Sequence, residues 1–508
     1  MVRVVAAILL FVLPWICFAQ NGEIRILHMN DFHGFALPHR PLGEQRELGG
    51  IAWLAARAQE LRREKPSIFL AAGDMIQGDN FANLFKGESG VRILNAMGLD
   101  AMVLGNHEFD FGQKTLVHRI KEARFPVLGA NLVGLEGVQP YTLKDVGGLR
   151  VAVVGILGAD TPVTTHPRNL VGLRFLDPAT TLRERLQELS SRAHLIIALT
   201  HCGFSVDREL ASAVNGVQLI VGGHSHTKLE KPVVVGNTIL VQAWEHGKAL
   251  GVLDLWVEEG RVVRYQGRLE EIGPSMGEPD PKVQAMVQHY TSRVQGLMDE
   301  IIGETVVDLD GEGIRHRETN FGNLVSDLLR DVSGAQAAII NGGAIRRSIP
   351  TGPVRIGDIY SSLPFDNYVV ALSLTGKQLW AALEHGLGGK GSGRFPQISG
   401  LELLYDPRAP EGSRLQEVRV NGEPLDPDAN YTVATNDFLA AGGDGYDSFP
   451  EAIRNLGSQD WVGGTLVSEA LVFSEPGRWI RDLLVEHIRS KGRIKPEVEG
   501  RIREVQGP

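Results

Sequence analysis

Residues 102–110 read Met-Val-Leu-Gly-Asn-His-Glu-Phe-Asp, an apolar run of buried-strand type that breaks at once into amide, imidazole and carboxylate side chains. Four other stretches of the first half are built the same way. Ile24-Arg25-Ile26-Leu27 leads to Asp31 and His33, and Ile68-Phe69-Leu70 leads to Gly73-Asp74. Leu195-Ile196-Ile197-Ala198-Leu199 leads to His201, and Val217-Gln218-Leu219-Ile220-Val221 to His224-Ser225-His226. From Glu23 to about Gly267, short runs rich in Val, Ile and Leu alternate with polar amphipathic stretches, which predicts an α/β layer fold with buried strands. In such a sheet the carboxyl ends of the strands share one edge, where ligand crevices form, so side chains far apart in sequence can meet there. Taken singly, an Asp-x-His is a turn and a His-x-His a solvent-facing pair. Five such endings, each directly after an apolar run, predict a metal-binding edge. Carboxylate, amide and imidazole groups in this number can hold two divalent ions if one carboxylate is shared, and Asp74 is the natural bridge.

Composition sets the outer bounds. The chain has 508 residues, with 51 Lys+Arg against 61 Asp+Glu and a net charge of −10. A nucleic-acid scaffold needs a basic surface to neutralise phosphates, so that class of partner is excluded. With 43% hydrophobic and 22% charged residues the chain is globular and not a disordered polyelectrolyte. At about 150 residues per domain the length fits three domains, or two larger α/β units. The segment Gly273 to Pro281 is rich in Gly and Pro, and Val283, Met286, Val287, Tyr290, Val294 and Met298 follow at helical spacing. A linker with a connecting helix from Pro281 to about Ile301 is predicted, within a boundary segment 273–302. A first α/β unit would then occupy 20–272 and a second 303–508. Residues 1–19, with Arg3, the apolar run Val4 to Leu13, Pro14 and a small-residue ending at Ala19, predict a secretory signal peptide too short to span a bilayer. Once it is removed Cys202 is the only cysteine, so no internal disulfide is expected. Gly388-Gly389-Lys390-Gly391-Ser392 lacks phosphate-loop spacing, and Gly386 to Gly400 is read as a flexible surface loop.

Asp31-Phe32-His33-Gly34, Gly73-Asp74, Gly105-Asn106-His107-Glu108-Phe109-Asp110, His201 and Gly222-Gly223-His224-Ser225-His226 resemble the calcineurin-like metallophosphoesterases. Nearly the whole mature chain resembles the 5'-nucleotidase family, which includes periplasmic UDP-sugar hydrolases and ecto-nucleotidases. The resemblance implies an α/β protein with an N-terminal metallophosphoesterase β-sandwich flanked by helices and a second α/β substrate-specificity domain. It implies Asp31, His33, Asp74 and His226 on one divalent ion and Asp74, Asn106, His201 and His224 on the other. Such donors with open positions suit Mn, Zn, Co or Fe. It also sets His107 against the phosphate with Asp110 orienting its ring; a carboxylate behind an imidazole favours the charged form, which stabilises developing phosphoryl charge. Met29 and Leu99 depart from the family's usual Thr and aromatic, which bears on metal preference.

In the second unit, Arg317-Glu318-Thr319-Asn320-Phe321-Gly322-Asn323, Asn341-Gly342-Gly343-Ala344-Ile345-Arg346, Pro364-Phe365-Asp366-Asn367 and Asn436 to Gly445 resemble the family's specificity domain. Ala344 stands where a third Gly is usual. By the resemblance Phe365 and Phe438 sandwich a nucleobase, Asp444 accepts ribose hydroxyls, Asn341 reaches the base, and Arg317 and Arg346 hold phosphate oxygens. Two aromatic faces grip any base by stacking, and arginine forks match phosphate oxygens. The implied function is an exported, periplasmic or secreted phosphohydrolase that releases phosphate from small-molecule nucleotides by attack of metal-activated water. A 2',3'-cyclic nucleotide phosphodiesterase or UDP-sugar pyrophosphatase on the same centre is the alternative. A thiosulfohydrolase and a non-catalytic nucleotide-binding protein are more distant ones. No membrane association is expected after signal cleavage, and the sequence leaves the oligomeric state open. Metals on one domain and nucleoside on the other imply closure about Gly273 to Ile301. Cys202 reads as a small buried cysteine, and His28, His246 and His316 as histidines that either support the ligands from behind or are satisfied structural groups.

Overall fold

The computed structural model describes residues 21–41, 45–456, 460–462, 465–468 and 470–505. The expected signal peptide, 1–19, lies outside the described residues. In the first unit two six-stranded sheets face each other. One runs in the order Arg261–Glu271, Ala249–Glu258, Gly22–Met29, Ser67–Ala71, Ala101–Val103, Val127–Leu128, and the other Val233–Val235, Thr238–Gln242, Leu219–Gly222, Leu195–His201, Leu149–Leu157, Tyr141–Val146. Strand alternation assigns the layers. Val151, Val153 and Leu157 point into a core shared with Ile24 and Ile26 of the opposite sheet, while Ala152, Val154 and Ile156 pack outward on Leu182, Leu186 and Leu189 of the helix Pro178–Leu189. Burial on both faces explains why these strands read as unbroken apolar runs.

Within the first sheet Gly22–Met29, Ser67–Ala71 and Ala101–Val103 are parallel, and within the second Leu149–Leu157, Leu195–His201 and Leu219–Gly222 are parallel. Their carboxyl ends deliver the loops bearing Asp31, Asp74, Asn106 and His224, with His201 ending its own strand. The second unit wraps a five-stranded sheet, ordered Pro396–Ser399, Ala337–Asn341, Asn430–Asn436, Tyr368–Thr375, Leu471–Trp479, with cores on both faces. Ala338 and Ile340 face one core and Ala337 and Ile339 the other.

The connecting segment differs from the single helix read in the sequence. A helix Pro281–Ser292 starts at Asp280, whose side chain accepts from Val283 N–H at 2.8 Å, and buries Val283, Val287 and Tyr290 in the first unit's core. It stops where Thr291 and Ser292 turn their hydroxyls back on the carbonyls of Val287 (3.0 Å) and His289 (3.1 Å), and only the short turn Gln295–Met298 follows. Hydroxyl side chains that bond the preceding turn compete with helix continuation, a local effect that apolar spacing does not register.

Arg25 makes a strong stability prediction. It is 5% exposed, and its guanidinium forks onto Asp254 at 2.7 and 3.0 Å, with Leu61 O at 3.3 Å. Asp254→Ala leaves this buried cation with Glu64 as its remaining carboxylate partner and is expected to cost about 2–3 kcal/mol, measured by chemical denaturation at neutral pH. Burial works against the Asp254 carboxylate, but Arg25 and Lys65 hold its pKa below the usual range. A depressed carboxylate contributes its stability above the unfolded-state pKa, about 3.9, and loses it as pH falls through the folded one. The wild type should therefore lose more stability than the variant on acidification below about pH 4.

Candidate metal centre and substrate pocket

The loops at the sheet edge are held in unusual backbone conformations. Asp31, His33, Asp74, His224 and His226 all have positive φ, between 48° and 78°. Left-handed backbone at non-glycine residues costs roughly 1–3 kcal/mol each and persists where surrounding structure imposes it. Here Asp31 N–H donates to Gly73 O (3.0 Å) and His33 N–H to Asp74 O (2.9 Å), locking the first two loops together. Buried Glu108 accepts from the N–H groups of Asp74 (2.9 Å), Met75 (2.7 Å) and Gly105 (2.6 Å), joining the second and third loops. Burial and the charge of Asp74 push Glu108 up to about 7. Gly105 is required by close approach, since a Cβ there would stand 2.2 Å from Asp74 Oδ1.

The result is two clusters, Asp31 with His33 and His226, and Asp74 with His201 and His224, each with ligand-type atoms within 4.8 Å of one another. Asp74 Oδ2 lies 3.1 Å from His201 Nε2 and 3.7 Å from His33 Nε2, so this carboxylate lies against both clusters. Burial opposes its charge, but His201 and His107 hold its carboxyl well below the usual range. Burial likewise works against the His201 imidazolium, yet Asp74 raises it to about 10.

The donor set fits divalent cations. His201 Nδ1 donates to Ala72 O at 2.7 Å and His33 Nδ1 to Gln77 O at 3.0 Å, which fixes both ring angles and turns each Nε2 toward the cluster. Asn106 Oδ1 is buried with no hydrogen-bond partner, a state that costs free energy unless an ion completes it. His33 Nε2 and His226 Nε2 face each other at 3.2 Å. Asp31, His33, Asp74, Asn106, His201, His224 and His226 are gathered at one edge. Asp160, not singled out in the sequence, reaches His224 Nε2 at 2.9 Å.

His107 lies beside this cluster, its N–H on Asp74 Oδ1 (3.0 Å) and its Nδ1 on Asp110 Oδ2 (2.7 Å). Its ring stacks on Phe365 of the second unit, with centroids 5.6 Å apart and planes 28° apart. A cavity of about 930 Å³ extends from there, bounded by Asp74, Asn106, His107 and His224 on one side. On the other side stand Asn341, Arg346, Phe365, Phe438 and Asp444. Asn341 Nδ2 donates to Asp444 Oδ2 at 2.7 Å, and burial raises the Asp444 pKa. Arg346 comes within 3.2 Å of His33 Nε2, and burial with Arg315 close by lowers its guanidinium to about 10.

Two readings of the second unit change. Arg317 lies outside the cavity, with its side chain 62% exposed and its guanidinium on Asp310 at 2.6 Å, whereas Arg315 lines the cavity. The tight turn Gly313–Arg315 sends the two arginines of Arg-His-Arg to different sides. The glycine-rich stretch is also a wall of the cavity: Gly388 to Arg394 line it, and the stretch is pinned by Gly391 N–H on Arg315 O and Gly343 N–H on Gly393 O, both 2.7 Å. Cys202 touches the cavity too, but burial drives its thiol well above the usual range, which leaves it no role as a nucleophile.

The units meet directly. Asn80 Nδ2 donates to Gly357 O (2.9 Å) and Ser361 Oγ (3.0 Å), Asn83 Nδ2 to Pro364 O (3.0 Å), and His166 Nε2 lies 3.3 Å from Asp437 Oδ2.

Residues 24–228 match the family described as calcineurin-like phosphoesterase, and residues 301–451 match the 5'-nucleotidase C-terminal domain. The chain is 33% identical to the 5'-nucleotidase of Bos taurus over 505 residues, covering 87% of each chain. It is 33% identical over 543 residues to the trifunctional nucleotide phosphoesterase YfkN of Bacillus subtilis, covering 95% of this chain and about a third (35%) of that longer protein. The crystal structure of a 5'-nucleotidase precursor from Thermus thermophilus superposes with a TM-score of 0.86 at 34% identity, over 96% of this chain and 100% of that one. With the paired clusters, the facing sheets and both domain types in one order, the chain belongs to the 5'-nucleotidase family and is a metal-dependent phosphoester hydrolase.

Proposed function

We propose that this protein is an exported enzyme that releases phosphate from nucleoside 5'-phosphates with two divalent ions, Mn, Zn, Co or Fe, at the sheet edge. The observation that carries the reading is the single cavity that joins the ligand clusters to Phe365 and Phe438. Asp31, His33, Asp74 and His226 would hold one ion, and Asp74, Asn106, His201 and His224 the other. When bound, such a pair polarises phosphoryl oxygens and supplies hydroxide-like water near neutral pH.

The chain's own residues do the rest. His107, its Nδ1 tied to Asp110, turns Nε2 to the phosphoryl oxygens as a donor where negative charge builds. Arg315 and Arg346, which both line the cavity, would form the anion clamp, since forked guanidinium groups match phosphate geometry. Phe365 and Phe438 take the base between their faces, Asn341 reaches its edge and Asp444 accepts ribose hydroxyls. Phe365 resting on His107 sets the base pocket next to the phosphoryl site. Entry of substrate needs the contacts of Asn80 and Asn83 with the second unit to open, with a hinge in the boundary 273–302 between the domains 20–272 and 303–508. Among the described residues no helix is long and apolar enough to cross a membrane.

The second reading, hydrolysis of cyclic nucleotides or UDP-sugars, draws on the printed name of the Bacillus relative, a trifunctional nucleotide phosphoesterase. A phosphate-release panel of nucleoside mono-, di- and triphosphates, UDP-glucose, cyclic nucleotides and an aryl phosphate separates the two. Base stacking contributes about 1–3 kcal/mol per base, so Phe365→Ala and Phe438→Ala should each lower kcat/KM for the preferred nucleotide about 5- to 150-fold. Turnover of an alkyl phosphate such as glycerol phosphate should stay within about threefold, because that substrate has no aromatic ring to stack. Equal losses on both substrates would count against the division of labour.

A further inference from the structure

The loop Ala243 to Lys248 carries none of the predicted site residues, yet it is stitched to the first metal loop. Ala243 N–H donates to Asn30 Oδ1 (2.7 Å), and Asn30 Nδ2 donates to Trp244 O and to Asp31 Oδ2, both at 2.6 Å. His246 N–H donates to Asp31 O at 2.7 Å. Trp244 and His246 hold positive φ of 63° and 55°, the same kind of imposed backbone seen at the ligands. This geometry delivers Glu245 to the back of His226. One carboxylate oxygen, Oε2, hydrogen-bonds His226 Nδ1, and the other accepts from Lys248 Nζ at 2.6 Å. Lys248 is 4% exposed and its ammonium sits 3.9 Å over the Trp244 ring. The opposite nitrogen of His226 faces Asp31 Oδ1 at 3.4 Å and His33 Nε2 at 3.2 Å.

We propose that Glu245 is the positioning carboxylate of the first ion's site. It accepts the Nδ1 proton of His226, so that the Nε2 lone pair is aimed between Asp31 and His33, and Lys248 and Trp244 keep the carboxylate in that orientation. A ligating imidazole whose other nitrogen donates to a carboxylate is fixed in tautomer and in ring angle and becomes a better donor. His226, Glu245 and His246 also lie close enough to form a cluster of their own. A further cation there is disfavoured, because the Lys248 ammonium already occupies Glu245 and His246 is stacked on Phe35 at 3.8 Å. The cluster therefore serves the ion at Asp31 and His33. This assignment rests on the two-ion reading above.

The test is competition between the metal-free protein and a chromophoric chelator for Zn²⁺ or Mn²⁺, with apo-protein melting followed alongside. Glu245→Gln is the first variant. Because it leaves Lys248 buried without its partner, the double variant E245Q/K248M, which removes both charges, is measured in parallel. One of the two ions should bind about 10- to 100-fold more weakly in both variants, the other as in wild type, with apo melting of the double variant within a few degrees of wild type. Wild-type affinity at both sites in the folded double variant overturns the assignment. Equal weakening of both sites, with melting lowered in step, also overturns it, since that marks general loosening. A wild-type protein that takes up no ions would instead remove the two-ion reading itself.

Discussion

Asp74→Ala is expected to lower kcat/KM for nucleotide hydrolysis by about 10³-fold or more. Its Oδ2 stands between His201 and His33, and its Oδ1 accepts the His107 backbone N–H, so one substitution removes the proposed bridge and loosens the phosphate-facing imidazole. Divalent-ion stabilisation of phosphoryl charge contributes several kcal/mol, and each 1.36 kcal/mol is tenfold in rate, which gives a loss of about that size. Steady-state phosphate release checks it, and Asp74→Asn should behave similarly because shape without charge does not bridge.

His107→Ala is expected to leave ion content unchanged and to reduce kcat by about 10²- to 10³-fold, the range seen when one donor to a developing oxyanion is lost. KM should change little, because the interaction strengthens only as the phosphoryl oxygens gain charge. Asp110→Asn should produce a smaller drop in the same direction, since the amide oxygen can still accept from Nδ1, where Asp110 Oδ2 now stands at 2.7 Å, but puts no negative charge behind the ring. A large rise in KM with unchanged kcat would place His107 in ground-state binding. Comparison with Asp74→Ala is then decisive: one variant loses chemistry with its ions retained, the other loses ions and chemistry together.

Much of this site can be read in the chain because each ligand follows its strand within a few residues. His201 ends its strand and Asp31 stands two residues beyond Met29, so once the parallel pairing is inferred the edge is inferred with it. The facing of the two sheets is not visible in the apolar runs alone; it rests on which alternate residues, such as Val151 against Ala152, turn toward which core. Arg315 and Arg317 sit two residues apart around a turn, and only the path of Gly313–Arg315 decides which one meets the cavity. The glycine-rich stretch reads as loose because it lacks side chains, but its backbone hydrogen bonds to Arg315 and Gly343 make it a wall. Glu108 and Glu245 are hidden for a different reason. They act through backbone amides or through another ligand, and no spacing rule marks a carboxylate that works at one remove.

Elemental analysis of purified, fully active protein tests the centre of the account most directly. The proposed function predicts two divalent ions per chain, one held by Asp31, His33, Asp74 and His226 and one by Asp74, Asn106, His201 and His224, with activity lost on chelation and restored on adding a single metal back. Full activity in protein shown to contain no more than one ion per chain would contradict it.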